Sequence, residues 1–299
     1  MLSRNERLID LIWSPFKEDE FIAYGSDLWL FRVRNSPSSD NSIKLNEELF
    51  AEFVVNYGEN SNPKQVSWYC GKENKNLYAV SLSNHKIQLI SYNSEKSAKN
   101  LEIFKEFSFK QIRQCTHLTW NSSQKNLLAG GFDKIRNEHS ILVWDVRGNG
   151  AVPTNQFELN TESVINCLNF NHNKFSYSSM LMSSNTVLAD YRQTSFKAVY
   201  ETGNTETCNS LAWNPSHENH LFAGVNGKLV KMFDIKSSKT VLSVNSKYVQ
   251  GITVDCNNQY QLASYLDNHA VIWDTRMFNA PVHKIDESEQ IEKIQWCPT

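Results

Sequence analysis

The sequence predicts an all-β chain of repeated four-stranded sheets set radially as a propeller. Three observations carry that reading. One short phrase is written twice, as "LTWNSSQKNLLAG" at 118–130 and "LAWNPSHENHLFAG" at 211–224. Related apolar anchors recur along the chain, and each of the first six is followed by a second apolar run. No long segment shows the 3.6-residue period of an amphipathic helix, so little helix is expected.

The anchors fall at Trp13 ("LIWSP"), Trp68 ("VSWYC"), Trp120 ("LTWNS"), Phe170 ("LNFNH"), Trp213 ("LAWNP"), Val254 ("ITVDC") and Trp296 ("IQWCP"). The intervals are 55, 52, 50, 43, 41 and 42 residues. About twenty residues after each of the first six comes the second run. These runs are "LWLFRV" (28–33), "IQLISY" (87–92), "ILVWDV" (141–146), "TVLADY" (186–191), "VKMFDI" (230–235) and "AVIWDT" (270–275). Two close on Trp-Asp, at Trp144-Asp145 and Trp273-Asp274, and one on Phe233-Asp234. A period of about 40–45 residues with Trp-Asp ending a strand marks WD-repeat propeller blades.

Within each unit the anchor is the innermost strand. The "LLAG" or "LFAG" run is the second strand and the "VWD" run the third. A fourth, outer strand follows, such as "LFAEFVVN" (49–56) or "VLSVN" (241–245). Such a sheet is apolar on both faces and cannot bury either alone; radial stacking buries both and leaves only short edges. Six matched pairs of signals weigh against a β-sandwich with accidental aromatic spacing. They predict six blades, starting near 8, 64, 115, 164, 208 and 249, with the first strand of a seventh starting near 291. Residues 1–299 thus read as one WD-repeat propeller, incomplete at its C-terminal end, from a longer, seven-bladed product. The alternative is a six-bladed ring with a frayed tail. The stretches 34–47 and 147–163, rich in Ser, Asn and Gly, read as surface connections that widen the early intervals.

Composition agrees with a packed soluble domain. Hydrophobic residues make up 40% and aromatics 12%, too much apolar content for disorder. Thirty basic residues against 32 acidic ones give −2, with no block of like charge, so neither nucleic acid nor an anionic membrane is an expected partner. The opening "MLSRNERLID" carries charges where a signal peptide needs an apolar core. No apolar run approaches the ~20 residues of a membrane span. A cytoplasmic protein is expected. The six cysteines, Cys70, Cys115, Cys167, Cys208, Cys256 and Cys297, have no CxxC pairing and read as small buried apolar residues.

Catalytic patterns are lacking. There is no GxSxG, P-loop, GxGxxG or HExxH. His217 and His220 lie three apart in a polar turn and read as solvated, not as metal ligands. The inner strands offer Thr119, Asn169, Ala212 and Thr253, not the crowded carboxylates of propeller enzymes. No enzyme, cofactor or metal is expected. Candidate partner contacts fall on the face where fourth strands return to the next first strand and second strands turn into third. In the third blade these loops carry Arg113 and Gln114 in "KQIRQCTH", and Asp133, Lys134 and Arg136 in "GFDKIRNEHS". In the sixth they carry Tyr248 and Gln250 in "SKYVQG", and Asp267 in "YLDNHA". Aromatics and Arg on an exposed rim are typical contact anchors. Asp133 and Asp267 read equally well as caps of tight turns.

The strings "RQCTHLTWNSSQKNLLAGGFDKIRNEHSILVWDV" (113–146), "SLAWNPSHENHLFAGV" (210–225) and "VQGITVDCNNQYQLASYLDNHAVIWDTRMFNAPV" (249–282) resemble the Mios, or missing oocyte, family. The opening "LIWSPFKEDEFIAYGSDLWLFRV" (11–33) fits the start of that family's propeller. The resemblance implies a non-enzymatic scaffold subunit of the second GATOR complex, called SEA in yeast. That assembly promotes amino-acid signalling to the target-of-rapamycin kinase complex at the lysosome. It also implies Seh-type and Sec-type propellers and two further WD-repeat subunits as partners, and a peripheral place at the lysosomal membrane. Family members continue into a blade-donating segment, a helical solenoid and a zinc-binding RING-like domain. The chain departs from the wider WD pattern in having no Gly-His dipeptide before its inner strands; the sixth blade keeps Ser264, Asp267 and Trp273 without an obvious His. The alternative reading is another WD-repeat scaffold, such as a coat or nuclear-pore propeller or a ubiquitin-ligase substrate receptor.

Overall fold

The computed structural model describes residues 8–35, 49–57, 62–69, 71, 76–92, 101–107, 112–121, 124–132, 140–148, 152–157, 165–171, 174–179, 187–190, 208–214, 216–217, 219–234, 236–237, 239–255 and 257–297. They form antiparallel sheets in chain order. The first blade is β1 (Leu8–Trp13), β2 (Glu20–Gly25), β3 (Leu28–Asn35) and β4 (Leu49–Asn56). The second is β5 (Pro63–Trp68), β6 (Leu77–Leu82), β7 (Ile87–Tyr92) and β8 (Leu101–Phe107). The third is β9 (Cys115–Trp120), β10 (Leu127–Phe132), β11 (Ile141–Asp145) and β12 (Asn155–Phe157). A three-stranded sheet follows: β13 (Ile165–Asn171), β14 (Lys174–Ser179) and β15 (Val187–Asp190). The fifth is β16 (Cys208–Trp213), β17 (His220–Val225), β18 (Gly227–Asp234) and β19 (Lys239–Val249). The sixth is β20 (Gly251–Val254), β21 (Gln261–Leu266), β22 (His269–Asp274) and β23 (Pro281–Asp286). Inner strands of successive sheets pack on one another in the order β1, β5, β9, β13, β16, β20.

The architecture is the all-β propeller read from the sequence, but the count of blades differs. The fourth sheet has three strands among the described residues, and residues 287–297, where a seventh inner strand was expected, pair with no strand.

Side chains alternate between two interfaces in each sheet. Tyr78, Val80, Leu82, Ile90 and Tyr92 of the second blade meet Ile22, Tyr24, Leu28, Leu30 and Val55 of the first. Leu77, Ala79, Ile87, Leu89 and Phe107 turn the other way, onto Cys115, Leu118, Trp120, Leu128 and Trp144 of the third. Every residue of β6 and β10 is therefore buried, which is why second strands read as unbroken apolar runs. Outer strands face water on at least one side: every residue of β23 after Pro281 is exposed.

The repeated phrase is an inner hairpin with a capped turn. After the inner strands of the first, third, fifth and sixth blades a small polar side chain folds back on the loop. The Ser14 hydroxyl accepts from the N–H groups of Phe16 and Lys17 at 3.2 and 3.1 Å. The Asn121 carbonyl oxygen accepts from Gln124 at 2.8 Å, that of Asn214 from Ser216 at 2.9 Å, and an Asp255 oxygen from Asn257 at 2.8 Å. The N–H of the same residue reaches the carbonyl that begins or precedes the second strand, Glu20, Leu127, His220 and Gln261 in turn, at 2.9 to 3.0 Å. The Asp of each Trp-Asp or Phe-Asp pair works alike. Asp145, Asp234 and Asp274 accept from the N–H two residues on, at 3.0, 2.9 and 2.9 Å. The bidentate Arg276 guanidinium, reinforced by that N–H, pulls the Asp274 carboxyl down to about 2.

Aligning second and third strands by register explains the missing His. The indole N–H of Trp273 donates to Ser264 Oγ at 3.0 Å, and Ser264 shares a hydrogen bond with Ser246 Oγ at 3.1 Å. Ser246, from β19, takes the polar place expected of a His. In the fifth blade Phe233 stands for Trp273 and Ala223 for Ser264, so neither polar partner is present. In the third, Gly130 stands for Ser264 beside the Trp144 ring, and among the described residues the buried Trp144 N–H has no acceptor.

Two stability outcomes follow from this packing. Leu128→Ala, at a fully buried site, should destabilise by about 2–5 kcal/mol in urea unfolding, whereas Phe104→Ala on the exposed outer strand should stay within about 0.5 kcal/mol. Ser264→Ala leaves the Trp273 N–H and the Ser246 hydroxyl without their shared partner and should cost about 1–3 kcal/mol in the same measurement.

Candidate interaction rim

The face carrying the turns between second and third strands is built by left-handed backbone. His85, Asn226 and Asp267 sit at the turn tips with φ of 67, 56 and 54°. Asn62, at 43°, leads into β5, and Lys247, at 62°, lies near the end of β19. In the fifth blade, Asn226 is followed by Gly227, at φ 65°, a pair suited to two successive positive φ values. In the sixth, Asp267 and Asn268 are the two-residue turn between the paired Leu266 and His269.

The predicted contact residues separate into three groups. Asp133, Lys134 and Arg136 lie outside the described residues, as does the side chain of Tyr248, whose backbone belongs to β19. Gln250 and Asp267 are exposed on the rim of the sixth blade. There the Gln250 N–H donates to the Tyr265 carbonyl at 2.6 Å, and the Asp267 carbonyl accepts from Ile291 at 2.6 Å. Both backbones are fixed while both side chains face water. Asp267 is also the tight-turn residue the sequence allowed for.

Arg113 and Gln114 require a correction. Arg113 is 4% exposed, with its guanidinium 4.6 Å from the Phe132 ring centre. Phe132 ends β10 and is completely buried, so the arginine acts as its lid, gaining cation–π attraction and stem packing. The Gln114 amide donates to the carbonyls of Leu82 at 3.3 Å and Cys115 at 3.1 Å, tying the second blade to the third. Sequence shows charge and polarity, not the neighbouring ring that absorbs them.

Other features of the rim escaped the sequence reading. Lys247 is exposed beside Gln250, and Asn209 reaches the Val249 carbonyl with its amide at 3.5 Å. Gly251 lies beneath the Tyr265 ring, where a Cβ would come within 2.4 Å, so the glycine of "VQG" permits a close approach. Burial, with Asp10 and Glu292 nearby, pushes the Tyr265 hydroxyl up to about 12. On the opposite side, the His217 and His220 rings are 5.0 Å apart. Burial and the His217 charge lower the His220 pKa. Among the described residues no three His, Cys, Asp or Glu side chains gather to hold a metal.

Fold and rim together define a WD-repeat propeller with a polar turn face. The family model described as "MIOS, WD40 repeat" matches residues 42–299, and the chain belongs to that family. It is 32% identical to the GATOR2 complex protein MIOS of Danio rerio and 31% identical to MIOS-A of Xenopus laevis, each over 97% of this chain and 31% of the relative. It is 26% identical to the GATOR2 complex protein Mio of Drosophila melanogaster, over 97% of this chain and 27% of that protein. The chain thus spans about a third of the length of these relatives. Among solved structures it is similar to Chaetomium thermophilum Sqt1, bound there to the N-terminus of ribosomal protein L10. The TM-score is 0.69 and the identity 13%, over 96% of this chain and 76% of that one. That likeness concerns the fold alone.

The burial of Arg113 sets an expectation opposite to that of an exposed contact. Arg113→Glu should destabilise the fold by about 3–5 kcal/mol, since the new carboxylate is buried against an aromatic face. Arg113→Met, which keeps the apolar cover, should cost about 1–2 kcal/mol; urea unfolding of both variants checks the pair.

Proposed function

We propose that this chain is the propeller portion of a non-enzymatic scaffold subunit of a GATOR2-type complex. The observation that carries the reading is the family match over 42–299, joined to relatives that are GATOR2 complex proteins. The geometry is in keeping with it. A ring of sheets with capped, rigid turns presents fixed contact points at little entropic cost. The complex promotes amino-acid signalling to the target-of-rapamycin kinase complex. Its partners include Seh-type and Sec-type propellers and further WD-repeat subunits. Attachment to the lysosome is peripheral, through the assembled complex; no helix among the described residues is long and apolar enough to cross a membrane.

Partner contact on the rim falls to Gln250 and Asp267, together with Tyr248, Asp133, Lys134 and Arg136. Affinity purification of the endogenous protein, tagged at its N-terminus and read by mass spectrometry, should recover Seh-type and Sec-type propellers. Their absence would remove the reading. In the same purification Gln250→Lys combined with Asp267→Asn should reduce recovery of at least one partner by about tenfold, the size of a ~1.4 kcal/mol contact. Asn tolerates the left-handed turn, so the thermal midpoint should not move. Full recovery of every partner would exclude this part of the rim.

A further inference from the structure

In every four-stranded blade the fourth strand is the outermost, and among the described residues no strand lies beyond it. β4, β8, β12, β19 and β23 therefore each turn a row of N–H and C=O groups outward, away from their own ladder. Such an edge is a template for a strand of another chain.

These edges share one irregularity. In the first blade Leu30 pairs with Val55 and Phe31 with Phe53, so Val54 is passed over. In the second, Leu89 pairs with Lys105 and Ile90 with Ile103, passing over Phe104. The fifth passes over Val241, between the pairs Met232–Leu242 and Phe233–Thr240. The sixth passes over Val282, between Ile272–His283 and Trp273–Pro281. The step is the same in all four. Phe31, Ile90, Phe233 and Trp273 stand on the rung that begins at each blade's anchor. In the third blade Val143 pairs with Asn155, yet its carbonyl accepts the N–H of Thr154 at 2.8 Å, at the step before Trp144. Pro153 precedes Thr154 as Pro281 precedes Val282, and a proline has no N–H to offer an incoming strand.

Apolar burial does not account for the repeated bulge. Phe104, Val241 and Val282 are 65, 50 and 46% exposed, and of the four residues passed over only Val54 packs against the core. We infer that the fourth-strand bulges guard the circumference of the propeller, breaking each outer edge so that a strand from a second copy of this chain does not add to it. A bulge bends its strand and puts the outward N–H and C=O groups on its two sides out of step. β8 is thereby cut into residues 101–103 and 105–107, runs of three against the ~5–6 residues of an ordinary strand. An incoming strand follows one run or the other, not both. Exposed Glu102 and Glu106 add charge to the same edge. The guard does not depend on which partners the propeller holds.

The test deletes the residue passed over. Removing Phe104 keeps every pairing of β7 with β8 and joins the two runs into one regular edge. Removing Val241 has the same effect at that step of the fifth blade. Phe104→Ala keeps the bulge and loses only the apolar side chain. Sedimentation velocity of the purified 299-residue chain over a range of concentrations reads association, and amide exchange by peptide mass spectrometry locates it. At the highest concentration each deletion should raise the weight-average mass about twofold over the parent, since two like edges close on a two-fold axis. Amides of the edited strand, and of no other outer strand, should then exchange about tenfold more slowly. Phe104→Ala should match the parent in both readings. Deletion variants that keep the parent's thermal midpoint and its mass would overturn the inference. So would association without slowed exchange in the edited strand, or an equal rise in mass for Phe104→Ala. Should the Phe104 deletion fail to fold, the Val241 deletion decides.

Discussion

Every part of this molecule depends on the fact that its sheets are apolar on both faces. A sheet with one wet face can stand against a single partner; these cannot. Tyr78, Val80 and Leu82 serve one neighbour, Leu77 and Ala79 the other, and all five are buried. Each such side chain contributes about 1.5–3 kcal/mol on leaving water, set against the conformational entropy lost along the chain. The balance favours folding only when a neighbour covers each face. Radial stacking satisfies that demand at every sheet except where the row has two ends.

Hydrogen bonds set register and angle within this apolar frame. Ser14, Asn121, Asn214 and Asp255 close the inner turns of four blades, and Asp145, Asp234 and Asp274 close the outer turns of three. The Trp273–Ser264–Ser246 chain then fixes the third strand against the second. Its variation among blades follows chemistry. Where Phe233 removes the N–H, Ala223 removes the hydroxyl; where Gly130 removes the hydroxyl but Trp144 keeps its N–H, a buried donor has no acceptor among the described residues. Packing around Trp144 carries that blade instead, with Phe107 and Phe132 against its ring at centroid distances of 5.2 and 6.2 Å.

Much of the fold was legible because period and turn chemistry are local. The anchors, the apolar second strands and the Trp-Asp ends all lie within single sheets, and β4 spans the segment read as an outer strand, 49–56. The family could be read from three strings. The candidate rim was less legible because exposure is not local. Arg113 sits in a polar string, yet the ring that buries it belongs to the far end of β10. Ser246 stands in for a His only through a contact across 18 residues. "IQWCP" looks like the other anchors, but a strand also needs a partner to pair with, and among the described residues none pairs with 287–297. Anchor spelling records what a segment can pack against, not whether its ladder forms.

The bonds from Gln295 to Trp13 and from Lys293 to Asp10 join residues 282 and 283 positions apart. Nearly all other contacts lie within one blade or between successive blades. A ribosome releasing this chain from its N-terminus therefore supplies each blade with its earlier neighbour at once, and sheets can be added one after another as a growing arc. The first blade waits longest for these contacts, which form only once residues 293–295 have emerged. Its inner edge carries Trp13 and the shielded Asp10, so the oldest surface on the nascent chain is also the one most exposed to wrong partners. Contact between residues 293–295 and the first blade then has to wait for the intervening blades, and a chaperone with business on this protein would find it at the first blade.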